Sequence, residues 1–137
     1  MPTQDCRYLT DSAESLEMPR RILIADDSEI VRGLIRSLLE RFADVEVCAE
    51  TANGRDTIDS ALRLKPDLAI VDVIMPELNG IEAVSVLKQH LPGTKVILFT
   101  MYGERVTTLA QAAGVDIVLS KPDGLSPLIK AVNSILG

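Results

Sequence analysis

Reactive side chains follow several short apolar runs of this sequence, at the point where each run ends. Asp72 comes directly after Leu-Ala-Ile-Val, and Asp26 and Asp27 come after Ile-Leu-Ile-Ala. Two later runs end in Thr100 and, after one serine, in Lys121. A buried charge is costly unless it is paired or ligated, so carboxylates at the ends of apolar strands indicate a site. The carboxyl ends of the strands of an open α/β sheet line one crevice, and we expect these side chains to converge there.

The types of these residues indicate phosphoryl-transfer chemistry. Three neighbouring carboxylates raise one another's pKa values unless a cation lies between them. Oxygen ligands without nearby histidine or cysteine suit Mg²⁺, which commonly takes one or two carboxylates together with water and phosphate oxygens. Thr100 can donate a hydrogen bond, and Lys121 can hold phosphate as a point charge, with an Asp carboxylate as candidate nucleophile. No Gly-rich Walker loop is present, so a bound nucleotide is not implied.

A purely structural explanation exists for each of these residues alone. Asp26 and Asp27 could cap the first helix, and Lys121 could be a solvated surface lysine. That explanation does not account for polar groups at the ends of successive strands. The shared pocket is therefore the better interpretation.

The elements that must position these residues follow from the hydrophobic pattern. Short runs rich in Val and Ile predict strands over residues 21–26, 45–49, 68–72, 95–99 and 116–119. Apolar residues spaced by three and four predict a helix after each strand, most clearly Ile30, Val31, Leu34, Ile35, Leu38, Leu39 and Phe42. Five such units predict an α/β fold, a flavodoxin-like (βα)5 three-layer sandwich with a parallel five-stranded sheet in the order 2-1-3-4-5.

Composition narrows the class of protein. A chain of 137 residues predicts one domain, and its net charge of −6 argues against a nucleic-acid partner. No apolar stretch approaches the ~20 residues of a membrane span, and the N-terminus lacks a secretion signal, so a cytoplasmic protein is expected. Cys6 and Cys48 make no disulfide framework, and Cys48 is expected to be an ordinary buried thiol. Residues 1–19 are polar and are expected to form a tail ahead of a domain over residues 20–137.

At these residues the chain resembles a known family, the receiver domain of two-component response regulators. The resemblance covers about residues 20–137. It is carried, in the order and spacing of the family, by Ile24-Ala25-Asp26-Asp27, Val71-Asp72 through Asn79-Gly80, Phe99-Thr100, Gly114-Val115-Asp116 and Lys121-Pro122. A much weaker resemblance, in Ile-Leu-Ile-Ala-Asp-Asp and Ala-Glu-Thr-Ala-Asn-Gly-Arg, points to receivers that precede helix-turn-helix output domains.

The resemblance implies a nucleophile and a set of metal ligands. Asp72 would be the phosphoacceptor, taking a phosphoryl group from a sensor histidine kinase or a small phosphodonor. Asp27 and Asp72 would bind Mg²⁺ directly, and Asp26 would act mainly through water. The backbone carbonyl of Ile74 would be a further ligand. The chain would then be a phosphoacceptor domain and not an enzyme with turnover.

The resemblance also implies how the phosphate is held. Thr100 and Lys121 would contact it, and Thr100 would move towards it on activation. A cis peptide bond is expected between Lys121 and Pro122, where it would aim the lysine into the pocket.

Four positions depart from the usual pattern of the family. A small residue usually follows the threonine, and here it is Met101; an aromatic residue usually lies three positions before the lysine, and here it is Val118. Asp123 replaces a common apolar residue. Ile74 stands two positions after the acceptor, where polar residues are common. Bulk at Ile74, Met101 and Tyr102 predicts a long-lived phosphoryl group, because these side chains should exclude or misplace the attacking water.

The output surface is predicted to be the face made by the fourth helix, fifth strand and fifth helix, residues 104–113 and 116–136. Thr100 and Lys121 lead into these elements, so bound phosphate can bias them. With Val118 in place of an aromatic ring, the backbone of residues 100–105 is expected to transmit the change, with Gly103 giving freedom at φ. This face is expected to bind a downstream protein or a second copy of the chain.

Two other functions stay open from the residues alone. An Asp-nucleophile phosphohydrolase uses similar groups but normally has a second Asp two positions after the nucleophile, where this chain has Ile74. A pseudo-receiver would bind partners without being phosphorylated. Thr100, Lys121 and the acidic pair argue against it, whereas Met101 and Val118 keep it open.

Overall fold

The computed structural model describes residues 19–137 of the chain. The elements are β1 (Arg20–Ala25), α1 (Glu29–Phe42), β2 (Val45–Thr51), α2 (Gly54–Leu64), β3 (Leu68–Val71), α3 (Gly80–His90), β4 (Lys95–Thr100), α4 (Gly103–Ala113), β5 (Ile117–Ser120) and α5 (Ser126–Leu136). A 3₁₀ turn over Lys121–Asp123 precedes α5. Of the tail expected over residues 1–19, residues 1–18 lie outside the described residues. No helix of residues 19–137 combines the length and apolarity that a membrane crossing requires.

The five strands form one parallel sheet in the order β2-β1-β3-β4-β5, which confirms the predicted topology. The central strand β3 is buried along its whole length. Ala25 at the end of β1 pairs with Val71 at the end of β3. The residues that come next, Asp26 and Asp72, therefore leave the sheet side by side.

Alternate residues of each strand serve two cores on opposite faces of the sheet. In β1, Ile22 and Ile24 pack with residues of α1 and α5, whereas Leu23 and Ala25 pack with residues of α2, α3 and α4. Successive strand side chains point to opposite faces, so an unbroken apolar strand must be covered on both sides. Helices on both faces complete the three-layer sandwich that the sequence predicted.

Two helices begin at polar caps directly after the loops that carry reactive residues. Ser28 caps α1 through its side-chain oxygen. Asn79 caps α3 in a reciprocal arrangement with Glu82, in which each side chain accepts from the other residue's N–H. Such caps fix where a helix starts. They therefore also fix the loops that follow β1 and β3.

The Lys121–Pro122 peptide bond is trans, so the expected cis bond was wrong; no peptide bond between residues 19 and 137 is cis. Pro122 is the second residue of the 3₁₀ turn, in which the Gly124 N–H donates to the Lys121 carbonyl oxygen at 2.9 Å. Proline fits the first turn of a helix, because it needs no N–H there and its φ is already helical. The turn itself carries the lysine to the site.

Candidate functional site

Asp26, Asp27 and Asp72 lie together at the carboxyl ends of β1 and β3. One carboxylate oxygen of each lies within 4.8 Å of the others. Asp26 and Asp72 are only 2% and 7% exposed, whereas Asp27 faces solvent. The Asp72 N–H donates to the Ala25 carbonyl oxygen at 2.9 Å, which extends the pairing of the two strands and aligns the buried aspartates. The three residues therefore form one acidic cluster at the edge of the sheet where the strand ends predicted a site.

The Lys121 ammonium lies between the two buried carboxylates of this acidic cluster. Its Nζ donates to Asp26 Oδ2 at 2.6 Å and to Asp72 Oδ2 at 2.8 Å. Burial by itself lowers the pKa of Lys121, but the hydrogen bonds to both carboxylates and their negative charge outweigh burial, so the pKa lies above its ordinary value. Lys121 is therefore charged at neutral pH and neutralises part of the cluster.

The backbone after Asp72 folds closely around its carboxylate. The Val73 N–H donates to Asp72 Oδ1 at 2.7 Å, so one carboxylate oxygen meets this amide and the other meets Lys121. Gly80, the first residue of α3, lies against the Asp72 carbonyl group, where an added Cβ would be 1.9 Å from the oxygen. Only a residue without a side chain lets α3 begin this close to β3.

The acidic cluster fits Mg²⁺ in the chemistry of its donor atoms. All three are carboxylate oxygens, which Mg²⁺ prefers. The three oxygen atoms already lie within 4.8 Å of one another, so a side-chain rotation could bring them around one ion. Asp27 can supply the rotation, because it is exposed and its carboxylate takes part in no hydrogen bond of residues 19–137.

Thr100 and Ile74 lie at the same end of the sheet as the acidic cluster, and within residues 19–137 neither has a hydrogen bond to it. Thr100 ends β4, is fully buried, and accepts a hydrogen bond on Oγ1 from the Tyr102 N–H at 3.3 Å. Ile74 lies two residues after Asp72, and its carbonyl oxygen accepts no hydrogen bond from any residue between 19 and 137. That oxygen is free to act as a ligand, as the resemblance implied. The roles expected of both residues stay predictions.

The unusual apolar residues of the site are largely solvent-exposed. Ile74, Met101 and Tyr102 are 56%, 59% and 45% exposed, so Ile74 and Met101 are not buried against each other. Val118, which stands where an aromatic residue is usual, is half-buried and packs against the core on the α2, α3 and α4 side of the sheet. It presents no large side chain that could turn between buried and exposed positions.

Gly103 lies in a close contact that the sequence did not indicate. Its φ is not in the left-handed region, so the expected freedom at φ is not used. A Cβ at this position would lie 2.3 Å from Ser120 Oγ. Glycine therefore permits the first turn of α4 to lie directly against the end of β5.

Two charged residues next to the acidic cluster were missed in the sequence. Arg32 of α1 donates to the Asp26 carbonyl oxygen at 2.6 Å and to Glu50 Oε1 at 3.2 Å. Glu50 lies on β2, and nothing in the hydrophobic pattern pairs it with Arg32. The one signal available is a cation near the start of α1, where it opposes the helix dipole.

Comparison with known proteins agrees with this geometry. A family model described as the response regulator receiver domain matches residues 22–133. The chain is 37% identical over 116 residues to the response regulator protein VraR of Staphylococcus saprophyticus, covering 84% of this chain and 56% of that protein. It is 32% identical over 119 residues to the chemotaxis protein CheY of Thermotoga maritima, covering 86% of this chain and 98% of that protein. The chain thus spans little more than half of the VraR relative.

The fold is also similar to that of solved receiver proteins. A two-component response regulator of the LuxR family from Aurantimonas sp. SI85-9A1 superposes with a TM-score of 0.81 at 30% identity, covering 87% of this chain and 86% of that chain. The residues matched by the family model, 22–133, include all the strand ends that form the site.

Proposed function

The chain belongs to the family of response regulator receiver domains of two-component systems, and on that premise we propose that Asp72 accepts the phosphoryl group. The observation that carries this proposal is the place of the Asp72 carboxylate, buried at the end of the central strand and 2.8 Å from Lys121 Nζ. Strand β3 lies between β1 and β4. Asp72 is therefore flanked by the aspartate pair on one side and by Thr100 on the other.

In the proposed reaction, one carboxylate oxygen of Asp72 attacks the phosphorus of the donor. A bond forms between that oxygen and phosphorus. The bond from phosphorus to the leaving atom breaks, and the leaving atom keeps the electron pair. That atom is the imidazole nitrogen of a phosphohistidine or the acyl oxygen of a small phosphodonor. The product on this chain is an acyl phosphate at Asp72.

Lys121 and Thr100 act on the charge of the phosphoryl group. Lys121 Nζ already contacts Asp72 Oδ2, so it is placed to follow the negative charge from the carboxylate onto the phosphoryl oxygens. Thr100 Oγ1 accepts from the Tyr102 N–H and keeps its own hydrogen to donate to a phosphoryl oxygen.

The acidic cluster would hold Mg²⁺ through Asp27 and Asp72, with Asp26 acting mainly through water and the Ile74 carbonyl as a further ligand. When bound, Mg²⁺ supplies positive charge that offsets and orients the phosphoryl oxygens.

Incubation with acetyl phosphate and magnesium chloride, followed by intact mass spectrometry, tests the assignment of Asp72. The parent chain should gain the mass of one phosphoryl group. Asp72→Asn should gain none, because the amide keeps the shape but lacks the nucleophilic oxygen. Asp59→Asn, on the exposed side of α2, is a matched control that should label like the parent. Labelling of Asp72→Asn to the extent of the parent contradicts the assignment.

We also propose that the chain is a phosphoacceptor whose only reactions are its own phosphorylation and a slow loss of the phosphoryl group. An Asp-nucleophile phosphohydrolase needs an acid and base two positions after the nucleophile, and Ile74 cannot serve. The parent chain should release phosphate from a generic phosphate ester no faster than Asp72→Asn does. Sustained release that depends on Asp72 would indicate a phosphohydrolase.

The proposed partners are a sensor histidine kinase, which supplies the phosphoryl group, and a downstream protein or second copy, which binds the output face. This output face comprises α4, β5 and α5. The contact between Gly103 and Ser120 joins α4 to β5, so a shift at Thr100 or Lys121 is passed to both elements. A cavity of about 260 Å³ lies where they meet, lined by Met101, Tyr102, Glu104, Arg105, Ser120, Pro122 and Asp123.

Amide hydrogen exchange with and without a beryllium fluoride phosphate mimic tests the output face. We expect changed protection in α4, β5 and α5. The competing surface is α1, which exposes Ile30, Leu34 and Phe42 by 77%, 52% and 56%. Changes confined to α1 would contradict the proposed output face.

A further inference from the structure

The Arg32 side chain joins the acidic cluster to the neighbouring edge strand. Its Nη1 donates to the Asp26 carbonyl oxygen at 2.6 Å, and its Nε donates to Glu50 Oε1 at 3.2 Å. The side chain is only 15% exposed. Arg36, one turn further along α1, also donates to Glu50 but is 47% exposed and has no hydrogen bond to Asp26 among residues 19–137.

Helix formation alone does not explain this placement of Arg32. It is the fourth residue of α1, near the positive end of the helix dipole, where a cation is disfavoured. Fixing a long arginine side chain also costs conformational entropy. The two charge-assisted hydrogen bonds offset these costs, and their effect is to fix the backbone at Asp26.

The carbonyl group that Arg32 binds belongs to the same planar peptide unit as the N–H of Asp27. Asp26 is already held by its own N–H, which donates to Thr51, and by both carboxylate oxygens. The Asp27 carboxylate, by contrast, takes part in no hydrogen bond of residues 19–137. The peptide plane that Arg32 fixes therefore sets where the Asp27 side chain starts, and with it the positions that the rotating carboxylate can reach.

We propose that Arg32 is a positioning residue for the metal site. Glu50 holds Arg32, Arg32 fixes the peptide between Asp26 and Asp27, and the fixed peptide aims Asp27 at Mg²⁺. This inference rests on the proposed function, which takes Asp27 as a ligand. Metal ligands bind more tightly when the groups behind them fix their orientation.

Charge and orientation predict opposite effects of removing Arg32. A cation beside three carboxylates repels Mg²⁺, so removing it strengthens binding if charge alone matters. If Arg32 orients Asp27, removing it weakens binding, because Asp27 then adopts directions that miss the ion. Arg36→Gln is the matched control. It also removes one positive charge from α1 and one hydrogen bond to Glu50, but it leaves the hydrogen bond from Arg32 to Asp26 in place.

Titration of the unphosphorylated, isotope-labelled chain with magnesium chloride at constant ionic strength measures this effect without phosphotransfer. Amide NMR shifts of Asp27 and its neighbours give the Kd. Arg32→Gln should raise the Kd about tenfold, and Arg36→Gln should change it by less than about twofold. Arg32→Lys keeps the positive charge and can still donate to the Asp26 carbonyl oxygen. It lacks the second nitrogen of the guanidinium group that reaches Glu50, so its Kd for Mg²⁺ should rise by less, about threefold.

The outcomes separate this inference from the proposed function. Arg32→Gln that binds Mg²⁺ as tightly as Arg36→Gln, or more tightly, overturns the positioning role. If Arg32→Gln does not fold, Arg32→Lys decides, and a Kd equal to that of the parent overturns it. Asp27→Asn should lose Mg²⁺ binding whether or not Arg32 has a positioning role. That loss, together with unweakened binding in Arg32→Gln, would support the metal site and reject the positioning role. A parent chain that binds no Mg²⁺ rejects both.

Discussion

Replacing Gly80 with alanine should destabilise the fold at the phosphoacceptor, whereas the same change at Gly33 should stabilise it. A Cβ at Gly80 would lie 1.9 Å from the Asp72 carbonyl oxygen, so the two must separate by about 1 Å to reach even a 3.0 Å contact. That movement is resisted, because β3 is buried and paired on both sides. We expect the free energy of unfolding to fall by about 3 kcal/mol, the upper end of the usual cost of overpacking.

Gly33 provides the matched substitution. It lies inside α1, and an added Cβ would meet no atom within 4 Å. Alanine is the better helix former, so Gly33→Ala should raise the free energy of unfolding by about 1 kcal/mol. For a chain of this size each kcal/mol corresponds to roughly 4 °C in Tm, which predicts about 12 °C lower for Gly80→Ala and about 4 °C higher for Gly33→Ala.

Urea unfolding of the parent and both variants measures these differences. Labelling by acetyl phosphate should also be slower in Gly80→Ala, because the displaced backbone carries Asp72. An unfolding free energy of Gly80→Ala equal to that of Gly33→Ala would refute the claim that α3 and β3 approach this closely.

Three further predictions concern the site and the free thiol. Ile74→Asn should speed loss of the phosphoryl group several-fold, because an amide can hold the attacking water; equal decay in the two proteins contradicts this. Without Mg²⁺, Lys121→Met should have a free energy of unfolding about 3 kcal/mol lower than the parent. Added Mg²⁺ should stabilise the variant more than it stabilises the parent, since the ion replaces the lost positive charge. Equal stabilisation by Mg²⁺ in the two would show that the lysine does not neutralise the cluster. Burial raises the pKa of the Cys48 thiol. In the Cys6→Ser variant, iodoacetamide should therefore alkylate Cys48 with a rate that rises at higher pH than the rate for glutathione. A midpoint of the rate–pH curve at or below that of glutathione would count against this.

The meeting of the acidic residues was predictable from local patterns once the doubly wound strand order was assumed. An unbroken apolar strand must be covered on both faces, and parallel strands end at one edge. Together with the strand order 2-1-3-4-5, those two rules bring Asp26, Asp27, Asp72 and Lys121 to one site. They act on residue types within each short segment, so they need no knowledge of contacts between distant side chains.

The features that escaped prediction depend on close contacts between distant segments. The pairing of Arg32 with Glu50 joins α1 to β2, and no periodicity in either element specifies it. Gly103 was expected to give freedom at φ, but what distinguishes its place is the closeness of the Ser120 side chain, which only the packing of α4 on β5 reveals. The trans bond before Pro122 was also missed, and the Lys121–Asp123 3₁₀ turn in which Pro122 lies was not predicted.

Chemical trapping of the acyl phosphate tests the central claim most directly. Borohydride reduces an aspartyl phosphate to homoserine, which stays at its position during digestion and sequencing by tandem mass spectrometry. After incubation of the parent chain with acetyl phosphate and magnesium chloride, homoserine should replace Asp72 and no other aspartate. Homoserine at Asp26 or Asp27, with an unmodified Asp72, would contradict the account.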